Sequence, residues 1–515
     1  MSRFWPCVAV FLLLNGLVPP AFAEAQGGQL PAVPPGQKWV FAMGNLATRE
    51  GMEALVALAK RSGKAGYNGF MLMDIKFDKF QLQGKEYLDN LQAFRQVCRE
   101  ANLKFIPCVT PFGYSDVFLT NDPNLAEGMP VRDAAFVVKD GKLVPFDETT
   151  RFVNGSFEEW KDDTPIGWSV DGPGQMSFRD EQVKSDGKAS LRQEDVAKHE
   201  PKSLHARVWQ KIPVKPWHYY HLSVMVEPGG FVNVIRRDSL PLKVTSPDGK
   251  TVYEEGKDFS KVADPRLDHD PNPGYFTNWH PAPEVTVPAG SRLKEGDTVL
   301  AGYHFASTCG KPNNINMCMS EPKTYEIVEQ QIRWVKENAQ PDIYQLAHDE
   351  IRLSGWDDSC ARTGKTNGQI LADNVRRCVE IIRKVDPGKP IMVWNDMFDP
   401  FHNARDKADD GMPFVMYMAK GNWFGSWEGL TPDVAVGDWL QQSVPSVEFF
   451  SKRGHPVLLM GYYDADPKRI AEWLQSTAHC KNMIGVMYTT WMNDYTKLEE
   501  FMDLVKAHEA RPPEK

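Results

Sequence analysis

The feature that most constrains this chain is a rhythm that starts, stops and resumes. From Lys38 onward, short apolar runs alternate with amphipathic stretches: residues 39–43 read as a strand, 50–62 as a helix, 69–73 as a strand, 87–101 as a helix and 104–109 as a third strand. Strands that are apolar on both faces and separated by helical periodicity are parallel strands with helical crossovers, since each crossover covers one face of the sheet. The rhythm stops near Pro111 and returns after Thr308, with helices at 322–338 and 368–385 and strands at 342–347, 390–395, 434–437, 457–461 and 484–488. These eight strands predict an α/β fold, a (β/α)8 TIM barrel interrupted after its third strand. The competing arrangement of the same units is a doubly wound open sheet.

The interruption has a different texture. After a loop-rich stretch through Asp147, residues 151–303 carry alternating runs at 205–212, 220–226 and 297–302 and a Pro247-Asp248-Gly249 turn. That pattern predicts an inserted antiparallel β-sandwich. The expected division is therefore a first barrel part with a loop extension at 38–150, the sandwich at 151–303, and a second barrel part at 304–510. Ahead of them, Arg3, an apolar run at 8–17 and Ala21-Phe22-Ala23 form a secretory signal peptide cut after Ala23, at 1–23. The run falls short of the roughly 20 residues that a membrane-spanning helix needs. A secreted or periplasmic protein with no membrane span is expected.

A formal net charge of -9 and the lack of a basic stripe argue against a nucleic-acid partner. Of eight cysteines, Cys7 lies in the signal, leaving an odd seven. Cys98 and Cys108 sit in apolar patterns and read as buried thiols, whereas Cys309 and Cys318 flank a polar loop and are candidates for a bridge. No Cys/His cluster has zinc spacing, so neither metal nor cofactor is expected.

In a barrel of this kind chemistry collects where strands end. The predicted ends hold Asp74, then Pro111 and Tyr114, then His348-Asp349-Glu350, Trp394-Asn395-Asp396, Asp438-Trp439, Tyr462-Tyr463-Asp464 and Thr489-Thr490-Trp491. Carboxylates and aromatic rings, with neither a cysteine nucleophile nor phosphate-cradling glycines, suit a carbohydrate cleft: rings pack on the C–H face of a sugar and carboxyl groups move protons. Adjacent carboxyls push each other's proton affinities apart, so one acts as acid while its neighbour stays ionised. Neighbours in sequence are badly placed to flank a glycosidic bond from opposite sides. They suit substrate-assisted cleavage, in which the sugar's own 2-acetamido oxygen attacks the anomeric carbon.

Around these acids the sequence resembles the family 20 glycoside hydrolases, the β-N-acetylhexosaminidases. Asn316-Met317-Cys318-Met319-Ser320-Glu321-Pro322-Lys323-Thr324-Tyr325-Glu326 opens a helix, and Asp342-Ile343-Tyr344-Gln345-Leu346-Ala347-His348-Asp349-Glu350 closes the next strand. The order and spacing follow that family's helix and His-x-Gly-Gly-Asp-Glu strand end. Val393-Trp394-Asn395-Asp396 and the run from Gly485 to Trp491 are similar to its Trp-bearing fifth and eighth strands. The resemblance covers most of both barrel parts and none of the insert. It implies that Asp349 orients the acetamido group, that Glu350 is the general acid/base, and that Trp394, Trp439 and Trp491 wall the pocket, with Tyr462 or Tyr463 assisting. Asp74, His348, Asp396 and Asp464 complete the expected substrate-binding set. The sequence departs from the family at Gln345, where its His stands, and at Ala347 and His348, which replace its paired glycines.

In the insert, Val153-Asn154-Gly155-Ser156-Phe157-Glu158-Glu159-Trp160, Pro165-Ile166-Gly167-Trp168 and the stretch from Trp209 to Trp217 look like a carbohydrate-binding-module jelly roll. Such a domain either binds glycan through exposed rings or buttresses the cleft, and some hold a structural calcium among loop oxygens. The expected protein is thus an exported glycoside hydrolase that cleaves terminal N-acetylhexosamine from a glycan substrate. The alternatives are a retaining glycosidase with Asp396 or Asp464 as nucleophile, and a non-catalytic glycan-binding protein.

Overall fold

The computed structural model describes residues 32–511 apart from 148, 195–197, 199–205, 223–225, 229, 268–279, 310–312, 407–417 and 441. The expected signal peptide lies outside the described residues. Eight parallel strands form a closed barrel in chain order: β1 (Gln37–Met43), β2 (Gly69–Met73), β3 (Lys104–Val109), β4 (Tyr344–Leu346), β5 (Ile391–Trp394), β6 (Ala435–Asp438), β7 (Val457–Tyr462) and β8 (Met483–Thr489). Closure is the pairing of Gln37, Lys38, Trp39 and Val40 with Gly485, Val486, Met487 and Tyr488. That ladder excludes the doubly wound open sheet, which would leave β1 and β8 unpaired with each other.

Strand alternation sorts the side chains into two layers. Trp39, Phe41, Met71, Ile106, Met392, Trp394, Leu458 and Met487 fill the barrel interior. Val40, Ala42, Phe70, Leu72, Phe105, Val393, Leu459 and Tyr488 face outward against the helices. A period of two is what a strand buried on both faces requires. The surrounding helices are α1 (Arg49–Ala65), α2 (Lys85–Glu100), α3 (Pro322–Ala339), α4 (Asn367–Val385), α5 (Val444–Lys452), α6 (Arg469–Ser476) and α7 (Leu498–Glu509). Their starts are chemically marked: the Thr48 side chain accepts from Gly51 N, and Thr366 and Gln369 form a reciprocal capping box at α4. Among the described residues no helix is long and apolar enough to cross a membrane.

Between β3 and α3 the chain leaves the barrel. Its largest sheet there is five-stranded and antiparallel, in the order Val252–Tyr253, Lys243–Thr245, Thr298–Ala306, Gly128–Lys139, Lys142–Pro145. Phe136, Val138, Phe231, Val244, Val299 and Tyr303 form its core. The strand Gly128–Lys139 lies before residue 151, in a stretch that reads as loop. Its alternation is hidden because Arg132 and Asp133 are consecutive exposed residues, and Asp133 takes a left-handed φ of 54°. Elsewhere in 151–303 the described residues include four short two-stranded ladders, among them Ser177–Asp180 with Ser190–Gln193 and Ser169–Val170 with Val208–Trp209. The Cys309–Cys318 bridge does not form. Both are thiols, and Cys318 Sγ instead lies 3.8 Å from Cys360 Sγ.

Gly485 is where closure is tightest. It has a φ of 145°, and a Cβ there would sit 1.8 Å from the carbonyl oxygen of Gln37 on β1. Gly485→Ala therefore meets backbone that cannot yield without opening the ladder, and should cost about 2–5 kcal/mol, from overpacking and backbone strain together. The midpoint of urea unfolding measures it; an unchanged midpoint would mean that closure tolerates a side chain here.

Candidate active site

The C-terminal ends of the barrel strands surround a cleft of about 500 Å³. Asp349 and Glu350 stand in it at the end of β4, and Trp394, Trp439, Tyr463 and Trp491 come from the ends of β5, β6, β7 and β8. Pro111, Tyr114 and Asp116 after β3, with Asp78 after β2, line the remaining wall. Trp439 and Tyr463 stack with ring planes 3° apart and centroids at 5.7 Å, while Tyr463 meets Trp491 edge to face. Such a corner presents both flat faces and ring edges.

The backbone at the strand ends is bent to produce this arrangement. Glu350 has φ 47°, and the consecutive Tyr462, Tyr463 and Asp464 have φ of 66°, 53° and 56°. Non-glycine residues held in the left-handed region are costly and occur where surrounding contacts fix them. At Glu350 the contact is a hydrogen bond from its own N–H to Asp396 Oδ2 at 2.8 Å. Asp464 does the same for β8: Oδ2 accepts from Trp491 N at 2.7 Å, and Oδ1 accepts from the Thr490 hydroxyl. Gly113 leaves room for the strand end, since a Cβ there would lie 1.7 Å from Asp349 O.

The two adjacent carboxyls have different surroundings. Asp349 is 8% exposed, and burial pushes it up to about 7, with the charge of Glu350 adding to the shift and Arg352 opposing it. Glu350 Oε2 accepts from Arg352 Nη2 at 2.6 Å and from the Tyr114 hydroxyl. Arg352 is itself buried beneath Glu350 and bonded to Asn314 Oδ1. Asp396, fully buried, also accepts from Asn403 Nδ2 at 3.0 Å and Trp439 Nε1 at 3.3 Å. Burial and then the charge of Asp349 push Asp396 well above the carboxylate range. Across the cleft, burial raises Asp116 to about 6. A cleft so rich in carboxyls is suited to moving protons and to stabilising positive charge on a bound molecule.

Of the residues singled out from the sequence, Asp349, Glu350, Trp394, Trp439, Tyr463 and Trp491 line the cleft, and Asp396 lies directly behind Glu350. Four do not line it. Asp74 is buried below, where it accepts from Leu46 N and the Tyr87 hydroxyl. His348, two residues past the end of β4, points away from the cleft, with Nε2 2.9 Å from Asn374 Oδ1 on α4 and its ring 4.9 Å from Phe112; burial lowers it to about 4, so it is neutral. Tyr462 turns its hydroxyl to Asp494 at 2.7 Å and stacks on Tyr488, which leaves Tyr463 as the cleft tyrosine. Asp464 serves the β8 turn. Arg352, Asp78 and Asp116 were missed, although they lie within a few residues of strand ends that were read.

No family model matches the sequence, and no curated protein matches it. Among solved structures, the chain is similar to a family 20 exo-β-N-acetylglucosaminidase from Vibrio harveyi in complex with N-acetylglucosamine, at 8% identity over 92% of this chain and 54% of that one, with a TM-score of 0.39. It is similar to a family 20 chitobiase from Flavobacterium johnsoniae, at 9% identity over 92% and 52%, TM-score 0.35. A third is the family 20 β-N-acetylhexosaminidase of Streptomyces coelicolor A3(2), at 9% identity over 92% and 65%, TM-score 0.38. This chain spans about half the length of the first two. The barrel assignment stands on its own strand pairings.

The burial of Asp349 has a direct readout. A carboxyl titration followed by infrared difference spectroscopy should contain a group with its midpoint near 7 that is missing from Asp349→Asn. A midpoint at or below ~4, the ordinary carboxylate value, would mean that water reaches the carboxyl.

Proposed function

We propose that this protein is an exported glycoside hydrolase that cleaves terminal N-acetylhexosamine from glycans by substrate-assisted catalysis. The observation that carries the reading is the single cleft in which two adjacent, differently solvated carboxyls stand among Trp394, Trp439, Tyr463 and Trp491. A pyranose packed on these rings has its anomeric carbon near the acids. The acetamido oxygen attacks that carbon while Asp349 accepts a hydrogen bond from the acetamido N–H, and Glu350 gives its proton to the departing glycosidic oxygen. Water then adds to the anomeric carbon of the oxazolinium ion and returns a proton to Glu350, restoring the acetamide and the acid. Arg352 and the Tyr114 hydroxyl, both on Glu350 Oε2, hold that carboxyl in place.

Those two donors also favour a second reading of the same site. Arg352 and the Tyr114 hydroxyl already occupy Glu350 Oε2, while burial keeps Asp349 protonated up to about 7, as a proton donor requires, so in this reading the roles of the two acids are exchanged. The retaining alternative has less support. Asp464 Oδ1 and Oδ2 are taken by Thr490 and Trp491, and Asp396 accepts from three donors, so neither is free to attack a sugar. In the insert, Trp209 and Trp217 are 46% and 47% exposed, which supports weak glycan contact there, whereas Trp168 is half-buried between Phe152 and Phe157.

Aryl glycosides with and without the 2-acetamido group test the proposal. Turnover should be confined to 2-acetamido sugars. Glu350→Gln should lose most on poor leaving groups, because a leaving group of low pKa needs little protonation. Asp349→Asn should lose about 10²–10³ on all of them, by analogy with the removal of a preorganised charge-stabilising group. The kcat/KM profile should rise with pH through a pKa near 7 as Asp349 ionises, and Asp349→Asn should lack that limb. Leaving-group dependence in Asp349→Asn, with activity falling through the same pKa, would establish the exchanged roles. Equal cleavage of 2-hydroxy sugars, or a glycosyl adduct on another carboxylate, would establish the retaining mechanism. Binding without turnover would leave a glycan-binding protein.

A further inference from the structure

Where the chain leaves and re-enters the barrel, four side chains from three separate segments meet out of contact with solvent. They are Glu127, just ahead of the strand Gly128–Lys139; Cys318, just ahead of α3; and Asp357 and Cys360, in the loop after β4. All four are buried, and one ligand-type atom from each lies within 4.8 Å of all the others. Cys318 Sγ and Cys360 Sγ are 3.8 Å apart, and Cys360 Sγ is 3.5 Å from Glu127 Oε2. A tetrahedral zinc ion with Zn–S of about 2.3 Å and Zn–O of about 2.0 Å sets its sulfurs about 3.8 Å apart and sulfur from oxygen about 3.5 Å. Both measured edges are edges of that tetrahedron.

The geometry points to a buried structural zinc site, with Cys318, Cys360, Glu127 and Asp357 as ligands. Two thiolates select zinc over calcium or magnesium, which take oxygen ligands. The surroundings orient the ligands as an outer shell does. Glu127 Oε1 accepts from Trp356 N at 2.8 Å, which turns Oε2 toward the sulfurs. Asp357 Oδ1 accepts from Cys360 N at 2.9 Å, and Arg237, bonded to Asp357 Oδ2, offsets part of the remaining negative charge. The site does not depend on the proposed hydrolase reading. Its position gives it work in the fold: Glu127 N to Asn316 O and Cys318 N to Leu125 O, both 2.8 Å, are two of the backbone bonds that join the outgoing and returning chains. A metal there pins that crossing to the loop that follows Asp349 and Glu350. The sequence gives no sign of the site because the ligands are scattered and include no histidine.

The competing use of the same thiols is a disulfide, which needs the sulfurs at about 2.05 Å. Elemental analysis of the full-length protein, produced without a histidine tag, should find one zinc per chain. Cobalt exchange should bring in a thiolate-to-cobalt charge-transfer band. A strong chelator should lower Tm and make two more thiols reactive to alkylation. Cys318→Ser should lose the metal. Glu127→Gln and Asp357→Asn should weaken its retention against a chelator by 10-fold or more. Should Cys318→Ser fail to fold, the zinc content and cobalt spectrum of the unsubstituted protein still decide. Protein purified and refolded with zinc present that contains no metal, or an intact mass two hydrogens light with Cys318 and Cys360 joined, would overturn the site.

Discussion

The hydrogen-bonded ladder between β1 and β8 is the constraint on which the rest of the structure depends. It turns eight parallel strands into a ring, so that all their C-terminal ends converge on one mouth. The interior below the mouth is filled by Trp39, Phe41, Met71, Ile106 and Met487, a packed plug rather than a channel. Met43 and Met73, at the ends of β1 and β2, are among the residues that line the cleft above this plug. The same ring brings Trp394, Trp439, Tyr463 and Trp491 from four different strands into mutual contact.

Setting carboxyls directly on an apolar plug has an electrostatic consequence. Desolvation is the largest influence on Asp349 and on Asp396, and it favours the neutral acid at each. Glu350 has a different neighbour: Arg352, two residues further along the same chain, reaches back to bond its Oε2 at 2.6 Å. Two acids adjacent in sequence therefore acquire unlike environments: one sits against the plug, and the other reaches a buried guanidinium. The left-handed backbone at Glu350, held by Asp396, separates the two side chains.

Much of this was legible beforehand. Strands β2 and β3 begin and end where the apolar runs do, and the other barrel strands differ by a few residues, because a strand buried on both faces is a continuous apolar run. The aromatic walls followed from the strand-end rule. What misled was direction. His348 and Asp349 are neighbours just past the end of β4, yet the first bonds α4 and the second lines the cleft; Tyr462 and Tyr463, on left-handed backbone at the end of β7, likewise part company. In the insert, Gly128–Lys139 pairs with Thr298–Ala306 across more than a hundred and fifty residues, a partnership that no local window reports.

The sequence by itself determined the barrel, its interruption after the third strand, and the residue types available at each strand end, because periodicity and local composition are properties of short windows. Tertiary structure alone decided which of those residues share one cleft, which acid loses its water, and that Arg352 lies under Glu350. It alone brought Cys318 to Cys360 and Glu127 instead of to Cys309. Each of these is a distance between segments far apart in the chain, or a side-chain direction set by packing. Such quantities exist only once the ring has closed and the insert has folded back on itself.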